Sequence, residues 1–331
     1  MSSITSETLK SIEEVNSGQW DNVVRQSKTG KKKDLSNYWR ALENGKRGEP
    51  IIFVALKKDN IVGFISGHIQ KVFLGQKILR TNTPVTISNE ENVLRVLFDN
   101  LEDFCIEKDV LYHEMRTMKM EDTRFNGFLE EEGYESKIFS CQHRLDLDQN
   151  MQNLIEEMSN SRRKSFKKMN DSDNVQISDP SKRDLLNFYE GTKKYQRRHE
   201  VPFNTLGFYE NLAAVEGIRI ASYQSKREKV AENLYLIDES ENTVHYLQSA
   251  VYEGYRQKNA LEEIHAYAIS NFHGNYEIYN FGDNEAHFRD GIFKFKQQYG
   301  CYLKPVIQWK RIYPSLKNRL LIRAMRSMRG D

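Results

Sequence analysis

One order of elements occurs twice in this chain, and that repetition limits what it can fold into more than any single motif does. Ile51–Leu56 and Ile61–Ser66 are β-rich runs joined by the turn residues Lys57-Lys58-Asp59-Asn60, which is a hairpin signature. Asn89–Lys108 follows with apolar residues at Val93, Leu94, Leu97, Leu101 and Phe104, the three-and-four spacing of an amphipathic helix. Leu111–Met118 reads as a strand, Thr123–Glu132 as a short helix with Gly133 in the C-cap position, and Ser140–Leu147 as a strand. The second half opens with a helical insertion, Asp184–Arg198 and Gly207–Val215, and then repeats the plan. Strands are expected at Ile218–Tyr223, Lys229–Ile237 and Thr243–Gln248, then a helix at Ala260–Phe272, a strand at Tyr276–Asn280, a helix at Phe288–Tyr299 and a strand at Cys301–Lys310. Recurrence at roughly 150 residues marks a duplicated domain and not a solenoid, whose repeats are far shorter. Strands alternating with helices predict an α/β chain with mixed sheets. The division that follows is a first domain over 1–148, a second over 149–310 carrying the insertion, and a tail over 311–331.

Composition narrows the class further. The 331 residues, 38% hydrophobic and 29% charged with six prolines, exclude collagen-like, disordered and disulfide-framework chains. No apolar run reaches the length of a membrane span, and residues 1–20, with Glu7, Glu13 and Glu14, lack a signal-peptide core, so a cytoplasmic protein is expected. Cys105, Cys141 and Cys301 show no CxxC spacing and the histidines no HExxH, so no metal site is expected. Neither a GxSxG elbow, a GxGxxG loop nor a P-loop occurs.

Net charge is +2, but residues 304–331 carry eight Lys or Arg against one Asp. Wound as a helix from Ser315, this tail sets Leu320, Leu321, Ala324, Met325 and Met328 against Arg319, Arg323, Arg326 and Arg329. Two readings stay open: peripheral contact with an anionic membrane through 315–329, or packing of the apolar stripe on the body. The knot Arg162-Arg163-Lys164 with Lys167-Lys168 is either a solvated face or an anion site. Neither cluster has the interleaved aromatics of a nucleic-acid motif, and no DNA partner is expected.

From Asn275 the chain reads NYEIYNFGDNEAHFRDGIFKFKQQYGCYLKPVIQW: a strand, a sharp Phe281-Gly282, a helix bearing Phe295-Lys296, and Gly300 at its exit. With Tyr195-Gln196-Arg197-Arg198-His199 before Glu200-Val201-Pro202, and the basic run Ser159 to Met169, this resembles the FemABX-like acyltransferases, relatives of the GNAT superfamily. The resemblance covers about residues 20 to 310 and implies two tandem GNAT (acyl-CoA N-acyltransferase-like) domains with mixed central sheets. It also implies transfer of an activated acyl or aminoacyl group to an amine of a cell-envelope or surface-glycan precursor. Lys296 then occupies the position of the family's functional lysine, as an electrostatic stabiliser of the oxyanion formed at the acyl carbonyl. Lys294, two residues earlier on the helix, points away and is an internal control.

In the same resemblance Arg198 matches an arginine that grips a phosphate of the acceptor, work suited to a planar fork of donors. Arg162 and Arg163 become candidates for an anionic donor. Tyr246 and Gln248 alternate along one strand and are expected to share a face at the sheet centre, lining the substrate or filling the core. A coenzyme-A enzyme of this kind holds pyrophosphate on a glycine-rich loop before a helix. Here the stretch is Tyr255-Arg256-Gln257-Lys258-Asn259-Ala260 with Gly254 beside it, so an anionic donor would rely on the Arg256 and Lys258 side chains. No long charged helical hairpin precedes Ile218 to hold tRNA. The donor stays open between acyl-CoA and aminoacyl-tRNA, and no resident cofactor is expected. The rival reading is a catalytically degenerate GNAT-fold binding module that recognises an anionic partner, because function lives in the site and not in the fold.

Overall fold

The structure is a computed structural model that describes residues 4–45, 48–72, 75–87, 91–117, 121–169, 174–198, 204–252, 259–284 and 289–313. These residues gather into two compact units. Unit 1 takes those within Met1–Trp39, Arg47–Phe139 and Val306–Asp331, and unit 2 those within Arg40–Lys46 and Ser140–Pro305. Packing thus divides the chain differently from its repeat, because each unit draws on more than one stretch of sequence.

In chain order the first elements are β1 (Ile4–Leu9), α1 (Ser17–Gln26), α2 (Ser36–Gly45), β2 (Glu49–Lys57), β3 (Asn60–Lys71), β4 (Lys77–Thr81) and β5 (Val85–Thr86). Then come α3 (Glu91–Glu107), β6 (Val110–Thr117), α4 (Asn126–Glu131) and β7 (Glu135–Asp146). The second half holds α5 (Met151–Glu157), α6 (Asn160–Met169), β8 (Val175–Ser178), α7 (Lys182–Arg198), α8 (Leu206–Leu212), β9 (Ile218–Ser225) and β10 (Glu228–Asp238). It ends with β11 (Thr243–Val251), α9 (Ala260–Phe272), β12 (Ile278–Asn284), α10 (Gly291–Gln297) and β13 (Tyr302–Ile312).

The sheet of unit 1 runs β1-β2-β3-β4-β6 and closes on the part of β13 from Val306, with β5 added beside β3. It is antiparallel except at β4·β6. The β2–β3 hairpin turns on Lys58 and Asp59, both at positive φ, the two-residue geometry that matches strand twist. α3 buries Val93, Leu94, Leu97, Phe98, Leu101 and Cys105 on one stripe, against Phe53, Ile65 and Leu79 of the sheet.

The sheet of unit 2 starts with the part of β7 from Ser140 and runs β7-β12-β11-β10-β9-β8. It too has one parallel pair, β11·β12. α9 is apolar around most of its circumference and packs on β9 and β10, its alanines 260, 266 and 268 allowing close approach. No helix among the described residues is long and apolar enough to cross a membrane.

Candidate active site

The site of unit 2 is built where its parallel pair comes apart. β11 and β12 are paired at Thr243↔Ile278, Val244↔Tyr279 and His245↔Asn280, and both strands then run on, to Val251 and Asn284, without further rungs to each other among the described residues. Past the fork β12 bulges against β7: Asn280 faces Arg144 and Asp283 faces Gln142, so Phe281 and Gly282 together oppose His143. Gly282 sits at φ +79, the left-handed region that an L side chain resists, and its N–H donates to Asn280 Oδ1 at 2.8 Å. The bulge turns the Gly282 carbonyl toward α10.

From α10, whose first turn is capped by Asp290 Oδ1 accepting from Ile292 N–H at 2.8 Å, Lys296 reaches back to this strand. Its Nζ donates to Gly282 O at 3.4 Å and to Asn284 Oδ1. Lys296 is 7% exposed, whereas Lys294 on the same helix is exposed. Burial pulls the Lys296 pKa down to about 8, with Asp283 opposing the shift. An ammonium in this setting is still charged at neutral pH and is poorly screened.

Tyr246 is half-buried on β11, its ring 5.0 Å from that of His265 on α9, and its hydroxyl shares a 2.6 Å hydrogen bond with Ser249 Oγ. Ser249 Oγ donates in turn to Asn233 Oδ1 at 2.6 Å. Gln248 does not join Tyr246. The register between β10 and β11 slips at Leu247, so Tyr246 faces Tyr235 while Gln248 faces Leu234, and adjacent residues of β10 point to opposite sides of the sheet. Gln248 Oε1 instead accepts from Tyr209 of α8 at 2.6 Å. The expected shared face is corrected by this one extra residue.

Arg162 also takes a position the basic run did not foretell. It is 4% exposed, ion-paired with Glu262 of α9, and donates from Nη2 to Gln298 Oε1 at 2.7 Å. Its guanidinium lies 4.5 Å from the Phe295 ring centre and 5.1 Å from that of Tyr299. Arg162 therefore fastens the end of α10 to α9. Arg163 donates from Nη2 to Asn160 Oδ1 at the start of its own helix, and Lys164 and Lys167 are exposed. The backbone of Arg198 closes α7, but its side chain, the whole of Arg256 and the 315–329 tail lie outside the described residues.

Two buried histidines flank the fork. His265 shares a 2.7 Å hydrogen bond between Nδ1 and the Tyr279 hydroxyl, and burial pushes its pKa down to about 3. His143, on β7 opposite the bulge, has no exposure, and neither ring nitrogen has a hydrogen-bond partner. Its ring stands edge-on to Phe293 at 4.8 Å, and burial, aided by the Lys296 charge, pushes it down to about 4. Sequence reading missed His143, since nothing local marks it. Asp238, Glu241 and His245 bring one ligand atom each within 4.8 Å of one another, but they belong to the β10–β11 turn. There Asp238 Oδ1 accepts from the backbone of Ser240 and Glu241, a role the turn itself requires.

No family model matches the chain, and no curated protein does. Solved structures do. FemX is 12% identical over 96% of this chain and 99% of its own, at a TM-score of 0.66. The structure of L-PGS from Bacillus licheniformis is 13% identical over 93% and 96%, at 0.58. A tandem GNAT protein from the clavulanic acid biosynthesis pathway is 10% identical over 95% and 100%, at 0.56. The chain has the FemX-like tandem GNAT fold. Within that tandem GNAT fold the two parallel strand pairs, β4·β6 and β11·β12, are the counterparts of the repeat seen in sequence, and the second has the buried Lys296 at its fork.

Proposed function

We propose that the protein is an N-acyltransferase or aminoacyltransferase of the FemAB-like type, working at the fork of unit 2 on an amine of a cell-envelope or surface-glycan precursor. The observation that carries this reading is the buried Lys296 ammonium held against Gly282 O and Asn284 where β11 and β12 separate. The amine attacks the acyl carbonyl, negative charge develops on its oxygen, and the C–O or C–S bond to the donor breaks as the tetrahedral intermediate collapses. A fixed cation in a water-poor site stabilises that oxygen more than the neutral carbonyl, and so accelerates the step. Lys296 stays protonated throughout, and the amine's proton leaves by another route. Tyr246, on the facing strand, orients the acyl group, and Arg198 is proposed to hold a phosphate of the acceptor.

Likeness of fold to FemX, to L-PGS and to the C-terminal domain of a putative lysylphosphatidylglycerol synthetase from Agrobacterium fabrum supports an envelope acceptor. Both donor classes remain candidates. The test is a transfer assay with acyl-CoA and aminoacyl-tRNA donors against envelope precursors, on wild type, Lys296→Ala and Lys294→Ala. Product formation lost in the first variant and kept in the second supports the proposal. Turnover retained by Lys296→Ala overturns it. Ligand binding without transfer by wild type, with any donor, leaves the binding-module reading standing in its place.

A further inference from the structure

Unit 1 contains a cleft of about 940 Å³ at the end of its sheet where β2 and β4 begin and β3 ends, away from the fork at Thr81. Its walls include four lysines, Lys10, Lys71, Lys77 and Lys108, and one carboxylate, Glu49. Pro50, Ile51, Ile69 and Phe104 form the apolar part of the lining. Lys71 and Lys77 are direct cross-strand partners in the last rung between β3 and β4. Like charges opposite each other on an antiparallel pair destabilise it. Lys77 Nζ donates to the Lys108 carbonyl at 3.1 Å, and Lys108 pairs with Glu107. Among the described residues Lys10, Lys71 and Lys77 have no carboxylate partner, and Glu49 pairs with none of them. The sheet therefore maintains a like-charge rung at the mouth of a half-apolar cleft, an arrangement that an anion would relieve.

Volume and lining select the kind of anion. A bare phosphate would use the lysines and leave Ile69 and Phe104 uncovered, whereas a cleft of this size suits a ligand with a body as well as a head. We propose that this cleft binds an anionic phospholipid, its phosphate among Lys10, Lys71 and Lys77 and an acyl chain along Pro50, Ile69 and Phe104. The lysine stems add apolar surface beneath their charged ends, as snorkelling side chains do, and anionic lipid attracts each nearby cation. The site is independent of Lys296, and it supplies an attachment to lipid that does not use the 315–329 tail.

The experiment uses the full chain with two probes. The first is dihexanoyl-phosphatidylglycerol below its micelle concentration, read by thermal shift, with glycerol 3-phosphate alone as the head-only arm. The second is vesicles of phosphatidylglycerol in phosphatidylcholine, read by co-sedimentation against phosphatidylcholine alone. Lys71→Glu is the informative variant, because it turns the like-charge rung into an ion pair with Lys77 and so raises the melting temperature without lipid. It is expected to weaken dihexanoyl-phosphatidylglycerol binding at least tenfold, while Arg319→Glu with Arg323→Glu leaves that binding unchanged. Undiminished lipid binding by Lys10→Glu with Lys71→Glu overturns the proposal. So does an equal shift from glycerol 3-phosphate, or vesicle binding that is lost only when the tail arginines are reversed.

Discussion

The two parallel strand pairs show how one topology is closed over in unit 1 and left open in unit 2. In unit 1 the whole of β4 is laddered to β6, and past Thr81 the chain continues as β5 along β3. The space beyond is taken by its own polar side chains. Arg124 donates to Thr29 Oγ1 and Thr86 Oγ1 at 3.4 Å each, Thr29 Oγ1 donates to Pro84 O at 2.9 Å, and Lys31 Nζ to Thr83 Oγ1 at 3.5 Å. Thr29, Thr83 and Thr86 are buried. In unit 2 the ladder stops after three rungs, residues 246–249 stay half-exposed, and the cation that reaches the fork comes from a short helix beyond it. The unit 1 fork is filled by its own hydroxyls and by the Arg124 and Lys31 cations that donate to them, whereas the unit 2 fork stays half-exposed with the buried Lys296 ammonium at its edge.

The largest effect expected is catalytic and tests that contrast directly. Lys296→Ala should lower kcat about 10²- to 10³-fold, in the range of losing one oxyanion-stabilising group, with little change in KM. Arg124→Ala should leave kcat unchanged and cost about 1–3 kcal/mol of stability, since it strips donors from buried hydroxyls. Single-turnover rates and denaturant midpoints measure the two. An inverse result, with turnover sensitive to Arg124 and not to Lys296, would move the site to unit 1.

Stability should respond to Lys296 in the opposite sense from activity. Burial lowers its pKa to about 8 from an ordinary 10.5, so the folded state gives up this proton more readily than the unfolded chain. Below pH 8 both states hold the proton and the cost of burying the charge is present in full. Between about 8 and 10.5 only the unfolded chain holds it, and stability rises with pH. The cost at neutral pH is on the order of 3 kcal/mol. Lys296→Met should therefore slow transfer as strongly as Lys296→Ala yet raise Tm at pH 7, by an amount that shrinks toward pH 10, the trade expected of a functional site. Wild-type turnover should fall as pH rises past about 8. A lower Tm for the variant at pH 7 would mean that the bonds to Gly282 and Asn284 are structural.

A pair of buried histidines sharpens the comparison at smaller scale. His113 in unit 1 is satisfied at both nitrogens, by Thr81 Oγ1 at 2.8 Å and the Tyr134 hydroxyl at 2.6 Å; His143 in unit 2 is satisfied at neither. His113→Leu should cost about 1–3 kcal/mol by stranding two buried hydroxyls, whereas His143→Leu should be neutral or stabilising by up to about 1 kcal/mol. Both imidazoles are held neutral, at about 3 and about 4 against 6.5. The unfolded chain takes up these protons first, so stability falls as pH drops from 6.5 toward 4, and His143→Leu should flatten that acid slope. Thermal melts at pH 4.5 and 7 give both quantities. Equal losses from the two substitutions would show that His143 has a partner in solution.

How much of this was legible in sequence depended on the range of the signal. The hairpins, the α3 stripe and α9, whose ends coincide with Ala260 and Phe272, rest on local periodicity and turn chemistry. Phe281-Gly282 and Lys296 were singled out through the resemblance to FemABX-like acyltransferases and not through any local pattern; the left-handed φ of Gly282 and the burial of Lys296 are visible only in the fold. Arg162 was not, since Glu262 and Gln298, which bury it, lie 100 and 136 residues away. The slip at Leu247 that turns Gln248 from Tyr246 is a property of pairing with β10, and alternation within β11 cannot reveal it. The filling of the unit 1 fork needs Thr29 and Arg124 to meet, 95 residues apart. His143 carries no local mark, and its isolation is visible only once Phe293 and the bulge surround it.

The smallest predicted difference lies in the hairpins that the two units share. Lys58-Asp59 in unit 1 and Lys226-Arg227 in unit 2 both bridge adjacent strands with two residues at positive φ, 51 and 60 in the first and 53 and 68 in the second. That turn fits the strand twist but asks each L residue into a region it resists by about 1–2 kcal/mol. Aspartate tolerates it better than arginine, and the unit 1 turn has a further brace, Asn60 Nδ2 donating to the Lys58 carbonyl at 3.0 Å. Glycine at either second position removes the strain but frees the unfolded chain, which returns part of the gain. Arg227→Gly should therefore stabilise the protein by about 0.5–1 kcal/mol and Asp59→Gly by less, a difference readable as a shift in denaturant midpoint at constant m. Equal gains would mean that the aspartate and the Asn60 brace contribute nothing, leaving the two turns energetically alike where the two forks are not.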